Sequence, residues 1–250
     1  MVIGHLRNLL YREEKQVPRQ GNEDGDAFAE REERILDAAA ELIQRWGYKK
    51  TTIEDIARRA EVGKGTIYLH WKTREELFIA LLLRERLRAL KDVETQLAAD
   101  PEGATLHGSV KYFTLGVLNN PLLRAAILQD NDTWSELMRT KFALADTEQR
   151  IVYGHSGFEI LRERGLVRAD ESVDDQVYML GAISTGFMVL NQYLPEDKQL
   201  PAEEVVKLLA KVVRRTFEAR APEAGEQDEN LSTFHQMLDY TRELSRRKVE

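Results

Sequence analysis

Apolar positions recur every three or four residues along almost the whole chain, and no segment alternates apolar with polar as a half-buried strand would. The first clear stripe is Ile35, Ala38, Ala39, Leu42, Ile43 and Trp46, one face of a helix predicted over about 28–46. Gly47 follows, where a left-handed residue usually ends a helix. Two short helices are predicted next, roughly 53–60 and 64–71, joined by a three-residue turn. A long helix starts near Arg74, because Thr73 and Glu76 have capping-box spacing, and it runs to about Ala99 before Asp100-Pro101. Further helices are expected at about 102–118, 121–129, 132–164, 173–193 and 201–219, punctuated by Pro121, Gly165, Pro195 and Pro201. The expected fold class is all-α.

Residues 1–27 read as a flexible N-terminal extension. Its start can form a short amphipathic helix through Ile3, Leu6, Leu9 and Leu10, and 16–26 carries Pro18, Gly21 and Gly25 like a linker. At the other end, 221–250 reads as an acidic linker followed by a helix over 232–246, with Phe234, Met237, Leu238 and Leu244 on one side. Two domains are expected between them, a small one over 28–76 and a larger one over 77–220.

Composition narrows the function classes. Hydrophobic residues make up 42% of 250, enough for a packed core. No apolar run approaches the length of a membrane span, and the start lacks a signal cleavage pattern, so the expected location is the cytoplasm. Cysteine is absent, which excludes disulfides, Cys-ligated zinc and thiol catalysis. The five histidines, at 5, 70, 107, 155 and 235, have no paired-ligand spacing, and no nucleophile elbow, P-loop or dinucleotide fingerprint occurs. Neither an enzyme, a metal site nor a cofactor is therefore expected.

Charge changes the picture locally. The chain carries −7 overall, yet within 45–74 eight cations (Arg45, Lys49, Lys50, Arg58, Arg59, Lys64, Lys72, Arg74) face three carboxylates (Glu54, Asp55, Glu61), a net +5. A basic patch on an acidic body points one end of the molecule at phosphate. The same stretch holds the two short helices. Ile53, Ile56, Ala57, Ala60, Val62, Ile67 and Trp71 can share a small core with the preceding helix, and Thr52 with Asp55 or Thr51 with Glu54 can cap the first. With Ile67 and Trp71 inward, Lys64, Gly65 and Tyr68 face outward near the start of the second helix, the end that reaches base edges in a major groove.

These residues closely resemble the TetR family of bacterial regulators. Gly65-Thr66-Ile67-Tyr68 and Thr73-Arg74-Glu75-Glu76-Leu77 carry the match, which is strong over about 30–80. Three positions depart from it. Glu61 stands where Gly is common, and a left-handed Glu costs about 1–2 kcal/mol; Gly63 stands where Ser or Thr often caps; Arg74 replaces a Lys.

The resemblance implies an N-terminal three-helix DNA-binding domain with a helix-turn-helix, followed by a larger helical ligand-binding and dimerisation domain. It implies phosphate contacts from Thr52, Thr66, Tyr68, His70, Lys72 and Arg74, and base contacts from Lys64, the backbone around Gly65, and Tyr68. It implies that the last two body helices, about 173–193 and 202–219, pair with their mates in a homodimer, which would set two modules one DNA turn apart on double-stranded operator DNA. Candidates for the pocket of a small-molecule effector are Tyr112, Trp134, Met138, Phe142, Tyr153, Phe158, Met179, Phe187 and Asn191. The body shows no basic cluster or Gly-rich loop, which favours an apolar or aromatic effector. The expected protein is a ligand-responsive repressor; the alternative is an adaptor with this fold that has lost specific DNA binding.

Overall fold

The computed structural model describes residues 23–128 and 141–223, together with 235, 239 and 243; the side chains of 23–25, 127–128 and 141–150 are outside that description. The helix expected within 1–10 lies outside the described residues; of the one expected over 232–246 only residues 235, 239 and 243 are described, each helical and exposed.

Helix α1 (Glu23–Trp46) buries Ile35, Leu36, Ala38, Ala39, Leu42 and Ile43 along one face. It starts earlier than the sequence reading placed it. Residues 23–26, expected as linker, are helical. The turns from Glu23 to Arg34 form a unit of their own. Gly47 ends α1 at φ 79°, its N–H donating to the Ile43 carbonyl at 2.8 Å. The buried Thr51 then donates its hydroxyl to the Gly47 carbonyl at 2.9 Å, which fixes the approach to α2 (Ile53–Arg59).

Helix α2 is held at its start by a full capping box: Thr52 accepts from the Asp55 N–H at 3.1 Å and the Asp55 carboxylate accepts from the Thr52 N–H at 3.3 Å. Glu61 adopts the left-handed conformation expected of it, φ 55°, and turns the chain into α3 (Lys64–His70). Helix α4 (Arg74–Ala99) starts on Thr73, which accepts from the Glu76 N–H at 3.1 Å. The Glu76 carboxylate reaches past the cap to the Lys72 N–H, 2.7 Å away, so the box closes one residue earlier than usual.

The body follows as α5 (Leu106–Asn119), α6 (Pro121–Leu128), α7 (Lys141–Glu163), α8 (Val173–Val189) and α9 (Ala202–Phe217), with short 3₁₀ turns at Leu190–Tyr193 and Glu196–Lys198. Helix α5 packs most extensively on α9, α7 lies against α8, and α4 runs beside α5. Gly116 permits that last approach, since a Cβ there would stand 3.0 Å from the Val93 side chain. The one β feature among the described residues is a single bridge, in which Arg168 donates to the Phe217 carbonyl at 2.8 Å and Ala219 to the Leu166 carbonyl at 2.9 Å.

Two main apolar clusters result. One fills the space between α1, α2, α3 and the first half of α4, and takes in Leu122 and Ala126 of α6. The other, in the body, joins Phe158, Val167, Leu209, Val213 and Phe217, with the Phe158 and Phe217 rings 5.6 Å apart. A smaller group, Leu90, Val93 and Leu97 with Tyr112 and Phe113, joins α4 to α5.

Candidate nucleic-acid interface

Helix α3 has seven residues and two faces. Ile67 is fully buried and Trp71, just beyond its end, is 8% exposed; together they seat the helix on the head core. Lys64, Gly65, Tyr68 and Leu69 stand on the other side, with Lys72 exposed beyond them. Nothing lies within 4 Å of where a Gly65 Cβ would be, so a backbone or base can come close there. Leu69, at 75% exposure, belongs to this face and was not singled out from the sequence. Its signal was available: an apolar residue beside Tyr68 that the Ile67–Trp71 stripe leaves outside.

Several cations of the patch already have partners. Lys64 pairs with Glu54, Arg58 with Asp55 and Arg59 with Glu41, all at the surface. The hydrogen bond from Lys64 holds the Glu54 carboxyl below its ordinary pKa and the Lys64 ammonium above its own, so both stay charged. Exposed pairs of this kind are worth little and exchange readily for phosphate. Lys50 and Lys72 enter no ion pair among the described residues.

Two of the residues carried over from the family sit differently. His70 is 7% exposed, its ring 5.2 Å from that of Trp71, so it belongs to the packing of α3 rather than to its outer face. Arg74 is half-buried: its guanidinium lies 4.2 Å over the Tyr48 ring and donates to the Tyr48 carbonyl. It clamps the start of α4 to the loop after α1, where the usual Lys could not stack in this way. Thr52 is exposed but its hydroxyl donates to Asp55 at 2.6 Å, and Thr66 is half-buried.

The body candidates scatter. Phe158 is a core residue at 2% exposure. The Tyr112 hydroxyl donates to Asp100 at the end of α4, with Lys111 at 3.1 Å. Burial, first, and the Asp100 carboxylate raise the Tyr112 pKa, while the same hydrogen bond lowers that of Asp100. Asn191 closes a loop, donating to the Leu200 carbonyl at 2.8 Å and accepting from its N–H at 3.2 Å. Tyr153, Met179 and Phe187 are half-buried, the last two against the body core. Trp134 and Met138 lie outside the described residues, as does the side chain of Phe142 on α7.

The fold also assembles a basic cluster the sequence reading did not see. A groove of about 600 Å³ opens between the start of α5 and the end of α9, lined by Lys211, Arg214, Arg215 and Arg220 with Glu102 and Glu218. At its floor His107 is buried, with Nδ1 2.9 Å from both Glu218 carboxylate oxygens and Nε2 3.5 Å from Glu102. Burial opposes the charged ring, but the two carboxylates outweigh it and raise its pKa.

Known proteins extend this picture. Residues 35–81 match the model of bacterial regulatory proteins of the tetR family. The HTH-type transcriptional repressor KstR of Mycolicibacterium smegmatis is 31% identical over 162 residues, 64% of this chain and 74% of that protein. The HTH-type transcriptional regulator QacR of Staphylococcus aureus is 42% identical over 50 residues, 20% of this chain and 27% of its own. Among solved structures, NalD, the secondary repressor of the MexAB-OprM multidrug efflux pump in Pseudomonas aeruginosa, superposes with TM-score 0.57 at 18% identity, over 78% of this chain and 98% of that one. SmeT, the repressor of the Stenotrophomonas maltophilia multidrug efflux pump SmeDEF, gives 0.54 at 18% identity over 77% and 96%. The likeness to KstR extends well past the helix-turn-helix, and with the head geometry it shows that this chain belongs to the TetR family of bacterial regulatory proteins.

Proposed function

We propose that this protein is a dimeric, ligand-responsive repressor that holds operator DNA through two copies of the α3 face and releases it when a small apolar or aromatic molecule binds in the body. One observation carries the reading. Helix α3 is anchored by a fully buried Ile67 and presents Lys64, Gly65 and Tyr68 outward, with Lys72 exposed just beyond its end. In this reading Lys64 pairs with guanine O6/N7, the backbone at Gly65 approaches a base edge, and Tyr68 packs on a thymine methyl. Thr52, Thr66 and Lys72 hold phosphate; His70 and Arg74 hold the head together instead.

One head touches too few groups for tight specific binding, so two must act together. The exposed side of α8 suits pairing: Tyr178, Gly181, Ala182, Thr185 and Gly186 lie on it, small residues flanked by an aromatic. For the effector, the half-buried Met179 and Phe187 next to the body core support an apolar occupant. Among the described residues no helix is long and apolar enough to cross a membrane, and operator binding would place the protein in the cytoplasm. No catalytic role is assigned.

Selection of duplexes from a random library by the purified protein tests the reading. The wild-type chain should enrich a near-palindromic sequence, with a logarithmic salt slope of about −0.9 per phosphate held. A folded Lys64→Ala/Tyr68→Ala variant should lose that preference. Enrichment of no duplex would favour the adaptor.

A further inference from the structure

Two charged residues on α4, Arg84 and Glu85, are buried. Neighbours on a helix leave it about 100° apart, so the two reach in different directions. Arg84 reaches α1, with Nη1 2.8 Å from the Asp37 carboxylate. Glu85 reaches the corner between α5 and α6 and accepts from Asn120 Nδ2 at 3.0 Å. The two are joined to each other at 3.2 Å, and Arg88 bridges Glu85 at 3.1 Å and Asp37 at 3.6 Å. Asn120 also caps α6, its Oδ1 accepting from the N–H groups of Leu122 and Leu123 at 3.0 Å. An unbroken polar chain therefore runs from the start of α6, across α4, to the first helix of the DNA-binding head. It lies alongside the apolar cluster in which Leu122 and Ala126 of α6 share the head core.

Buried ions of this sort seldom add stability over well-packed apolar groups; what they do better is select one geometry. Apolar surfaces can slide past each other, whereas hydrogen-bonded ions tolerate few arrangements. We infer that Asn120, Glu85, Arg84 and Asp37 are positioning residues, a clasp that fixes the angle of the head on the body and hence the aim of α3. The consequence for operator spacing rests on the dimeric reading above; the clasp itself does not.

The chain has no cysteine, so Gln44→Cys on the head and Asp170→Cys on the body, both exposed, allow spin labels at two known sites. Labelled chains diluted in unlabelled protein report the head-to-body distance within one chain by pulsed electron resonance. Asn120→Asp keeps the α6 cap but sets a carboxylate against Glu85. It should broaden or shift the distance distribution. Adding Glu85→Gln to Asn120→Asp lets the new amide donate to the new carboxylate and should restore a narrow one. With a duplex selected by the wild-type chain, the single variant should bind about tenfold more weakly and the double should regain most of that. A wild-type distribution in Asn120→Asp, or no recovery in the double variant, would overturn the clasp. If the wild-type chain selects no duplex, the proposed function fails while the distances still judge the clasp.

Discussion

At the scale of single residues, Glu54 and His107 show how a neighbour sets what a side chain can do. Glu54 is exposed and paired with Lys64 beside the α3 face proposed to meet DNA. In the free protein that pair costs little and contributes little. Once phosphate arrives, the carboxylate repels the backbone that Lys64 attracts. Glu54→Gln should therefore tighten duplex binding roughly two- to fivefold at low salt, with the gain fading as salt rises; fluorescence anisotropy at two ionic strengths checks this, and unchanged or weaker binding would contradict it. His107 works in the opposite setting, buried between Glu218 and Glu102, with the Thr105 hydroxyl 3.0 Å from Nδ1. Its pKa in the fold is raised above the ordinary 6.5. The stabilisation from its protonated ring is thus complete below about 6.5, the value of the unfolded chain, and is lost as pH climbs through the raised value. Melting curves of wild type and His107→Gln should lie furthest apart below about pH 6.5 and converge as pH rises through the raised value. A gap that does not change with pH would show that the ring acts by packing alone.

At the scale of elements, the helix-turn-helix shows which local rules the chain obeys and which it breaks. Thr52 and Asp55 form the capping box their spacing announces, and α4 spans Arg74–Ala99 as its caps and Asp100-Pro101 imply. Glu61 breaks a rule: it holds φ 55°, where a Cβ crowds the carbonyl. Glycine there would relieve about 1–2 kcal/mol but add about 0.5–1 kcal/mol of unfolded-state entropy, so Glu61→Gly should stabilise the head by up to about 1.5 kcal/mol. A rise in melting temperature without loss of duplex affinity is the expected result. These features were legible because each depends on residues no more than four apart. The rest of the candidate site was not, for the same reason reversed. Arg74 reads as a phosphate ligand until the fold brings Tyr48, 26 positions earlier, under its guanidinium. His70 sits at helical spacing from exposed residues, but its ring turns in beside Trp71. Lys211, Arg214, Arg215 and Arg220 look like a solvated helix end until the fold sets them around one groove with His107 of α5. The buried pair Arg84 and Glu85 reads as ordinary surface charge until α1 and the α5–α6 corner cover it.

At the scale of the whole molecule, the question is what a second copy adds. Helix α9 turns Val205, Val206, Leu209, Val213 and Phe217 into its own body and shows mainly Lys207, Lys211, Arg214 and Arg215 outside, with Leu208 between them. Helix α8 is different. Its exposed side carries Tyr178 at 78% exposure with Gly181, Ala182, Thr185 and Gly186, and Tyr193 follows at 76% in the next turn. Two such stripes facing each other across a two-fold axis can approach closely because small residues leave room, while the tyrosines cover the ends. The sequence reading expected both final helices in the interface; we propose that the apolar share of it lies on α8, whose exposed side is the less charged of the two. A charge at the centre of that stripe would be buried against its own symmetry mate, so Ala182→Glu places two like charges together with no partner for either. Sedimentation should show a dimer for the wild-type chain and a monomer for this variant, with helical content unchanged. Because each freed head would hold DNA alone, affinity for a selected near-palindrome should fall by roughly 10³-fold, toward the non-specific level. A half-site duplex should be bound equally weakly by both proteins. That comparison separates loss of pairing from damage to α3: a damaged head would weaken the half-site as well, whereas a head that has lost only its partner would not.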